Sequence, residues 1–356
     1  MKNPSSLSGK ATPPLRLGIV GASGIALRRM LPAMEGDLPI ELAAVCSQSP
    51  ERAQAIAKDH STARAYTDYS KMLADDGVDA IYVASPVYCH LDHATQALRA
   101  GKHLLCEKPL GRTLKEARQI ADAARQAALT AMEAYMMNFH PAHLTLKNEI
   151  AQGVYGQLVS IRARFACWYP EIPGAWRQNR SLAGGGALMD LGSHLLSLLL
   201  HLAGPLTNIH SVCSNRVFNY DVEDDAVLLC ELASGARATL ECSFCLPDNT
   251  PTLLEICGTE GSAFLQDTLG QEGGGTGRKL IGNTQKNYDP LQNKSETDGG
   301  KTETYPLTNL YAAQLCEFAS AIRSGRQPSL NTLESGVEVL RWITESYKIK
   351  TPDITV

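Results

Sequence analysis

Aromatic residues are scarce in this 356-residue chain, at 6%, and neither sign of charge dominates. The formal net charge of -4 gives no reason to expect nucleic acid or an anionic membrane as a partner. Long apolar runs are also absent, because the longest, 191–203, contains two histidines and is shorter than the roughly 18 residues of a membrane helix. The first 14 residues lack the apolar stretch of a signal peptide. We therefore expect a cytoplasmic protein.

The ten cysteines do not predict a disulfide scaffold. They are scattered along the chain and mostly lie inside apolar runs, as is typical of buried thiols in a reducing compartment. Cys242 and Cys245 have the CxxC spacing of a zinc ligand pair. They lie within 238–246, which has a strand pattern in which residues three apart face opposite sides, and no second pair is nearby. The sequence therefore predicts no metal site.

From residue 15 to residue 135, short apolar runs alternate with helical patterns of about ten residues. This alternation indicates βαβ units and an α/β fold with a doubly wound parallel sheet. Right-handed crossovers then bring the carboxyl ends of all strands to one edge. We interpret residues 1–14 as a flexible tail and residues 15–135 as a Rossmann domain. Its predicted strands are 15–20, 40–46, 80–85, 103–106 and 130–134, and its predicted helices are 25–34, 50–59, 69–75, 91–100 and 114–127.

After about residue 136 the predicted strands follow one another mostly without intervening helices. This pattern indicates an open, mostly antiparallel sheet, so we interpret 136–356 as an α+β domain for substrate binding and oligomerisation. The polar, glycine-rich segment 270–301 predicts a mobile loop or an extended hairpin. The predicted strands are 158–168, 209–217, 226–232, 236–244, 252–258 and 263–266, and the predicted helices are 310–324 and 333–348.

A glycine-bearing turn, GASGIA at 21–26, follows the first predicted strand and opens a helix. A dinucleotide fingerprint has the pattern GxGxxG/A, with glycines where the backbone approaches the pyrophosphate. Here a serine occupies the second glycine position, and a purely structural turn is the alternative. Because the turn joins a strand to a helix, we interpret the domain as NAD(P)-binding. The expected cofactor contacts are Gly21, Ala22, Ser23, Gly24 and Ile25.

The end of the second predicted strand favours NADP(H) over NAD(H). An NAD enzyme carries an acid there for the ribose 2′-hydroxyl. This chain has Ser47 and Gln48 instead, with Arg52 nearby. Hydroxyls and a guanidinium would bind the 2′-phosphate that a carboxylate would repel. Ser49 before Pro50 can equally be a helix N-cap, which leaves Ser47 and Arg52 free for the cofactor.

A lysine, Lys108, follows the apolar run 101–106 and precedes Pro109. Proline fixes φ and cannot extend a strand, so this lysine is expected on a rigid turn at the functional edge of the sheet. Together with the glycine turn, it suggests a nucleotide-binding site with a charged catalytic group.

The segment GGGALMDLGSH at 184–194 places Asp190 and His194 four residues apart, on one face of a helix. An acid one turn from an imidazole can orient it and tune its pKa, as a proton-transfer site needs. The alternative is an ordinary pair of surface groups. The apolar flank 195–200 disfavours that alternative, since it predicts a buried helix whose polar groups need partners.

These stretches together resemble the glucose–fructose oxidoreductase/inositol dehydrogenase (Gfo/Idh/MocA) family. The resemblance covers the chain from residue 15 onward and includes the glycine turn, SPVYCH at 85–90, AGKHLLCEKP at 100–109 and GGGALMDLGSH. The glycine turn with Ser47 and Arg52 is most similar to the NADPH-dependent 1,5-anhydrofructose reductase branch. EAYM at 133–136 with FHP at 139–141 is similar to the xylose and dihydrodiol dehydrogenase branch, so the substrate stays open.

The resemblance implies an oxidoreductase that acts on CH–OH groups, moving a hydride between nicotinamide and a sugar, cyclic polyol or related carbonyl compound. It implies Lys108 as the catalytic lysine, Asp190 as its polar neighbour and His194 as the general acid/base. Further cofactor contacts are expected from Ser85, Pro86, Tyr88, His90, Glu107, Lys108, Trp176, Arg177 and Tyr311, and substrate contacts from Tyr135, Asn138 and Trp168.

Two other functions fit the same motifs. One is an NAD-dependent enzyme of this fold that cleaves glycosides through transient oxidation. The other is a non-catalytic, NADP-responsive regulator, which the intact lysine, aspartate and histidine disfavour. In either case the open second sheet would expose an apolar face in a monomer, so we expect a homodimer or homotetramer formed through that sheet.

Overall fold

The computed structural model describes residues 13–22, 24–60, 63–282, 290 and 300–348. Its first sheet has six parallel strands in the order β3-β2-β1-β4-β5-β6. Except for the exposed edge strand β3, the strands are almost entirely buried, as expected of a parallel sheet that is covered on both faces. They are β1 (Leu15–Val20), β2 (Ile40–Cys46), β3 (Arg64–Tyr66), β4 (Ala80–Val83), β5 (His103–Cys106) and β6 (Ala131–Glu133).

Helices connect these strands and cover the sheet. The helix after the glycine turn, α1, is π-helical over Ala26–Met30 and α-helical over Leu31–Ala33. Ser49 caps α2, as its position before a proline predicted, because its side chain accepts a hydrogen bond from the amide of Arg52. The other helices are α2 (Pro50–Asp59), α3 (Tyr69–Leu73), α4 (His90–Arg99) and α5 (Leu114–Ala127).

The register of the first sheet places its strand ends side by side. Val20 is paired with both Cys46 and Val83, and Cys106 is paired with both Val83 and Glu133. The residues that follow these positions therefore lie along one edge. This edge is where a doubly wound sheet binds ligands.

The second sheet has eight strands in the order β14-β13-β12-β11-β7-β10-β9-β8. Among the described strands of this sheet, β7 and β10 pair in parallel, and the other neighbouring pairs are antiparallel. Most of segment 283–299 lies outside the described residues, and the strands on either side of it pair as a hairpin. The strands are β7 (Leu158–Ala166), β8 (Leu206–Ser214), β9 (Asp225–Leu232), β10 (Arg237–Ser243), β11 (Leu253–Gly258), β12 (Gly261–Gln266), β13 (Gly273–Ile281) and β14 (Thr302–Thr308).

The remaining helices follow the first sheet in the chain. They are α6 (Pro141–Ala151), α7 (Arg180–Ala183), α8 (Ser193–Ala203), α9 (Leu310–Arg323) and α10 (Leu333–Lys348), and a π-helical turn, Leu188–Gly192, leads directly into α8. α10 packs against α5 of the first sheet and against α8 and β8 of the second. The predicted fold class, a Rossmann sheet followed by an α+β part, is confirmed.

One helical segment, Arg180–Ala203, is long and apolar enough to cross a membrane, with a mean hydropathy of 1.3. However, 78% of its apolar window is buried inside the protein. A buried core helix has the same composition as a membrane span, so this segment is weak evidence for one.

Candidate functional site

The glycine turn at the end of β1 has the backbone that a dinucleotide needs. Gly21 has a φ of 82°, and a Cβ there would overlap the main chain of Ser85 at the end of β4. Gly24 has a φ of 49° and no neighbouring atom within 4 Å of where a Cβ would lie. Gly21 thus lets the ends of β1 and β4 approach each other. Gly24 leaves the backbone just before α1 uncovered by side chains. Ser23 lies outside the described residues.

A cavity of about 290 Å³ lies along this edge of the first sheet. The second sheet closes its other side with Phe165 of β7 and the following Tyr169. Many of the predicted site residues line it. They are Gly24, Ile25, Ser85, Pro86, His90, Glu107, Lys108, Trp176, Arg177, Asp190, His194 and Tyr311.

Lys108 and Asp190 form an ion pair inside the cavity. The lysine Nζ lies 2.5 Å from Oδ1 of Asp190 and also donates to its main-chain oxygen at 3.0 Å. Arg177 Nε lies 4.0 Å from the other carboxylate oxygen. Burial alone would raise the pKa of Asp190, but the two cations outweigh it and hold that pKa below its usual range. Asp190 is thus the polar neighbour of the lysine.

His194 is 5% exposed and packs edge-on against the rings of Tyr135 and Phe165. Its Nδ1 is buried and has no hydrogen-bond partner among the described residues. Burial, and then the charge of Lys108, lower the pKa of this histidine well below its ordinary value. The expectation that the Asp190 carboxylate orients the imidazole is wrong, because that carboxylate is bound to the lysine and aromatic packing holds the ring.

Glu107 fixes the turn that carries the lysine. Its carboxylate accepts a hydrogen bond of 2.5 Å from Tyr82 Oη and one of 3.3 Å from the amide of Lys108. Burial raises the pKa of Glu107, although Tyr82 and the Lys108 charge oppose this effect. The peptide bond that follows, between Lys108 and Pro109, is cis.

His90 joins the loops that follow β4 and β5. One ring nitrogen lies 2.9 Å from the main-chain oxygen of Ser85, and the other lies 3.0 Å from that of Pro109. Burial lowers the pKa of His90 to about 4, so the ring is neutral at pH 7. Both ring nitrogens face main-chain oxygens, so the ring positions the lysine turn. The ring also lines the cavity, and its contact with the cofactor stays a prediction.

Trp176 and Arg177 lie on a short 3₁₀ helix at the mouth of the cavity. The guanidinium of Arg177 stacks 4.3 Å above the tryptophan ring. Tyr88 touches the same ring edge-on at 6.3 Å, but it does not line the described cavity. Tyr88 therefore supports the tryptophan, and its expected contact with the cofactor stays a prediction.

The residues at the end of β2 lie beside the glycine turn, outside the cavity. The amide of Gly21 donates to the main-chain oxygen of Cys46, just before Ser47. Ser47 is buried and its Oγ accepts a hydrogen bond from the Ser49 amide. A hydroxyl is also a donor, and its expected contact with the cofactor stays a prediction. Gln48 and Arg52 are exposed.

The three predicted substrate residues do not line the described cavity. Tyr135 and Asn138 are buried behind it, where Asn138 donates hydrogen bonds to Ser197 and Asn331. Trp168 is 44% exposed and packs against Phe218 instead. In this part of the chain Phe165 and Tyr169 line the cavity instead.

Several cavity residues were missed from the sequence. Arg28 lies one helical turn after Gly24, with its amide bonded to the main-chain oxygen of that glycine, so helical spacing could have identified it. Gln271 comes from the second sheet and is bonded to Arg29 of α1 across the cleft at 3.0 Å. No local pattern predicts that contact. No group of three or more metal-ligating side chains is placed to hold an ion in the described part of the chain.

Comparison with known proteins agrees with this architecture. Residues 15–135 match the oxidoreductase family with an NAD-binding Rossmann fold, and residues 143–264 match the GFO/IDH/MocA C-terminal domain. D-xylose 1-dehydrogenase (NADP(+)) 2 of Haloferax volcanii is 31% identical over 340 residues, which cover 94% of this chain and 97% of that protein. 1,5-Anhydro-D-fructose reductase of Ensifer adhaerens is 31% identical over 326 residues, or 90% and 92% of the two chains.

Among solved structures, a 3-ketoreductase from Actinomadura kijaniata in complex with NADP and TDP-benzene has a TM-score of 0.79 with this chain. The two sequences are 25% identical, and the match covers 94% of this chain and 97% of that one. With both parts of the chain matched and two relatives aligned over almost their whole length, the protein belongs to the GFO/IDH/MocA family of NAD(P)-binding oxidoreductases.

Proposed function

We propose that the protein is an NADP(H)-dependent oxidoreductase that moves a hydride between nicotinamide and a sugar, a cyclic polyol or a related carbonyl compound. The observation that carries this proposal is the meeting of Lys108, Asp190 and His194 in one cavity beside the glycine turn. The names of the two relatives that are 31% identical support a sugar-like substrate.

The residues of the cavity suit a dinucleotide. The open backbone at Gly24 and the start of α1 would hold the pyrophosphate, with Arg28 and Tyr311 at the same end. The loops after β4 and β5 would hold the nicotinamide half. Bound there, the cofactor would donate or accept the hydride.

Lys108 would act on the reacting oxygen. Its ammonium has three N–H donors, and the two contacts to Asp190 leave one donor for a substrate oxygen in the cavity. A fixed positive charge at that point stabilises the negative charge that develops on the oxygen during the reaction.

His194 would handle the proton. Its Nδ1 is buried without a partner among the described residues, which leaves Nε2 as the nitrogen available to the cavity. The lowered pKa keeps the imidazole neutral at pH 7, so Nε2 can accept the hydroxyl proton during oxidation and return it during reduction.

A screen of sugars, inositols and ketosugars for a change in the absorbance of reduced nicotinamide tests the activity. Lys108→Met and His194→Asn should each lower turnover of the best substrate by about 10²–10⁴ while changing NADPH affinity only a few-fold. Lys102→Met is the matched control, because Lys102 donates to main-chain oxygens of Asp75 and Val78 instead. Turnover within about threefold of the parent in both site variants would overturn the assignment and favour the regulator.

A further inference from the structure

Glu223 lies between β8 and β9, is 3% exposed and contacts the start of the helix that carries the cavity residues. Its Oε1 accepts hydrogen bonds from the amides of Gly186 at 2.8 Å and Leu188 at 3.2 Å. Its main-chain oxygen accepts one from Ala187 at 2.9 Å. The first amides of a helix have no partner within the helix. Glu223 therefore serves as its N-terminal cap from a distant part of the chain.

Other contacts hold this cap in place. Tyr347 of α10 donates a hydrogen bond of 2.6 Å to the same carboxylate oxygen, and Arg180 lies 3.6 Å from the other oxygen. A Cβ on Gly186 would overlap the main-chain oxygen of Glu223, and one on Gly185 would overlap the hydroxyl of Tyr347. The glycine run thus allows the acid and the tyrosine to reach the helix start.

The capped helix leads directly to the proposed reaction centre. The amide of Asp190 is bonded to the main-chain oxygen of Gly186 at 2.9 Å, which is one turn back. Both the main-chain oxygen and the carboxylate of Asp190 bind Lys108 Nζ. His194 follows one turn later. A shift of the helix start would therefore move both groups relative to the lysine.

We infer that Glu223 is a positioning residue, which fixes the start of this helix and thereby the contact between Asp190 and Lys108. The inference rests on the proposed function for its catalytic meaning, and on geometry alone for the contact itself. Glu223 would affect turnover through Asp190. Loss of the cap should therefore lower kcat only while the Asp190 carboxylate is bound to Lys108.

The chain offers a matched control in the adjacent acid. Asp224 is 0% exposed and also accepts hydrogen bonds from main-chain amides, those of Arg216, Val217 and Phe218 at 2.7, 2.8 and 2.8 Å. Its side chain therefore holds a loop next to the helix rather than the helix itself.

Steady-state kinetics of the full-length protein test the inference. Glu223→Ala should lower kcat about tenfold and leave NADPH affinity within about threefold, while Glu223→Gln, which keeps one acceptor oxygen, should recover part of the loss. Asp224→Ala, assayed at a temperature below the melting temperature of that variant, should have a kcat within about twofold of the parent. Equal losses in the two alanine variants would show general destabilisation and overturn the proposal.

Two further measurements separate positioning from other roles. In an Asp190→Asn background, Glu223→Ala should lower kcat by less than about threefold, because the Asp190 carboxylate through which Glu223 acts is already absent. An equal fold-loss of kcat in the parent protein and in the Asp190→Asn variant would contradict the inference. Should Glu223→Ala not fold, Tyr347→Phe removes one donor to the carboxylate and should lower kcat by a smaller factor, and an unchanged kcat in both Tyr347→Phe and Glu223→Gln would overturn the proposal.

Amine labelling provides a readout that needs no substrate. Reaction of the protein with acetic anhydride, followed by mass spectrometry, compares Lys108 with the exposed Lys115 in one sample. Glu223→Gln should increase the relative labelling of Lys108, and Asp224→Asn should not. Unchanged labelling would overturn the inference, whereas changed labelling with no turnover by any sugar would count against the proposed function only.

Discussion

At the scale of single residues, we expect the end of β2 to decide which dinucleotide binds more tightly. Ser47 and the exposed Arg52 occupy the place of an acid that would repel a 2′-phosphate. NADPH should bind at least ~10-fold more tightly than NADH, which corresponds to the ~1.4 kcal/mol of one charge-assisted contact. Fluorescence titration with both cofactors measures the preference.

Two substitutions at the end of β2 test this cofactor preference further. Ser47→Asp should reverse the preference, because its carboxylate would repel the 2′-phosphate and accept the ribose hydroxyls. Ser49→Ala is the control, since it removes the α2 cap and should affect stability rather than selectivity. A parent protein that prefers NADH would rule out the proposed role of this strand end.

Single residues were predictable where the chemistry depends on local spacing. Local spacing singled out Lys108, Asp190 and His194, and the structure brings these three side chains into one cavity. Partners that arrive from distant segments could not be read from local sequence, as with Tyr82 on Glu107 and Phe165 on His194. The pairing of the aspartate with the lysine, rather than with the histidine, likewise depends on how the two domains meet.

At the scale of elements, the start of the helix that carries Asp190 should not tolerate a side chain. Gly186→Ala would place a Cβ against the main-chain oxygen of Glu223, which cannot move like a flexible side chain. We expect a loss of about 1–3 kcal/mol in the free energy of unfolding, as in other overpacked sites, together with a lower kcat.

Chemical denaturation measures that loss. Gly36→Ala is the control, because a Cβ at Gly36 meets no atom within 4 Å and its φ is not positive. That variant should be neutral or slightly more stable, since alanine restricts the unfolded chain more than glycine does. Equal stability of the two variants would contradict the packing argument.

Several elements with an apolar pattern were predicted with their observed bounds, among them β1, β2, β5 and α10. The bounds of α2, which is mostly polar and starts at a serine cap before a proline, were also predicted. β3 and β14 were missed. β3 has only three residues, and β14 is largely exposed. Both carry polar side chains, so hydrophobic periodicity does not indicate a strand there. The parallel pairing of β7 with β10 joins strands far apart in the chain, and no local pattern encodes it.

At the scale of the whole molecule, buried neutral histidines should make the protein sensitive to mild acid. Burial lowers the pKa of His90 and His201 to about 4 and that of His143 to about 3. In the unfolded chain these groups titrate near 6.5, so the unfolded state binds more protons below that pH. Their stabilising contribution is therefore complete above about pH 6.5 and is lost as the pH falls toward about 4.

Glu133 acts in the opposite direction, because burial raises its pKa to about 8, but one carboxyl does not offset three imidazoles. The free energy of unfolding should thus be lower at about pH 5 than at about pH 7.5. His143→Asn should reduce that difference, and a substitution of the exposed His210 should leave it unchanged. Equal or greater stability at the lower pH would contradict this expectation.

Assembly is expected to use the outer face of the second sheet. Val212, Val227 and Leu229 are 46%, 37% and 47% exposed there, and the two valines are paired across β8 and β9. Light scattering should therefore report a mass above the 38.4 kDa of one chain. Leu229→Lys should weaken the assembly, whereas Leu27→Lys, on α1, should not. A stable monomer at micromolar concentration would exclude pairing through this face.

The position of Tyr347 has a consequence for how the protein is made. Synthesis runs from the amino to the carboxyl terminus, so Lys108, Asp190 and His194 leave the ribosome long before the tyrosine that supports the cap of their helix. The first sheet has all its strands by Glu133 and can begin to form early. The cap of that helix gains its hydrogen bond from Tyr347 only when α10 docks. A nascent or truncated chain without α10 would then hold every proposed reacting group and still lack this support of their helix.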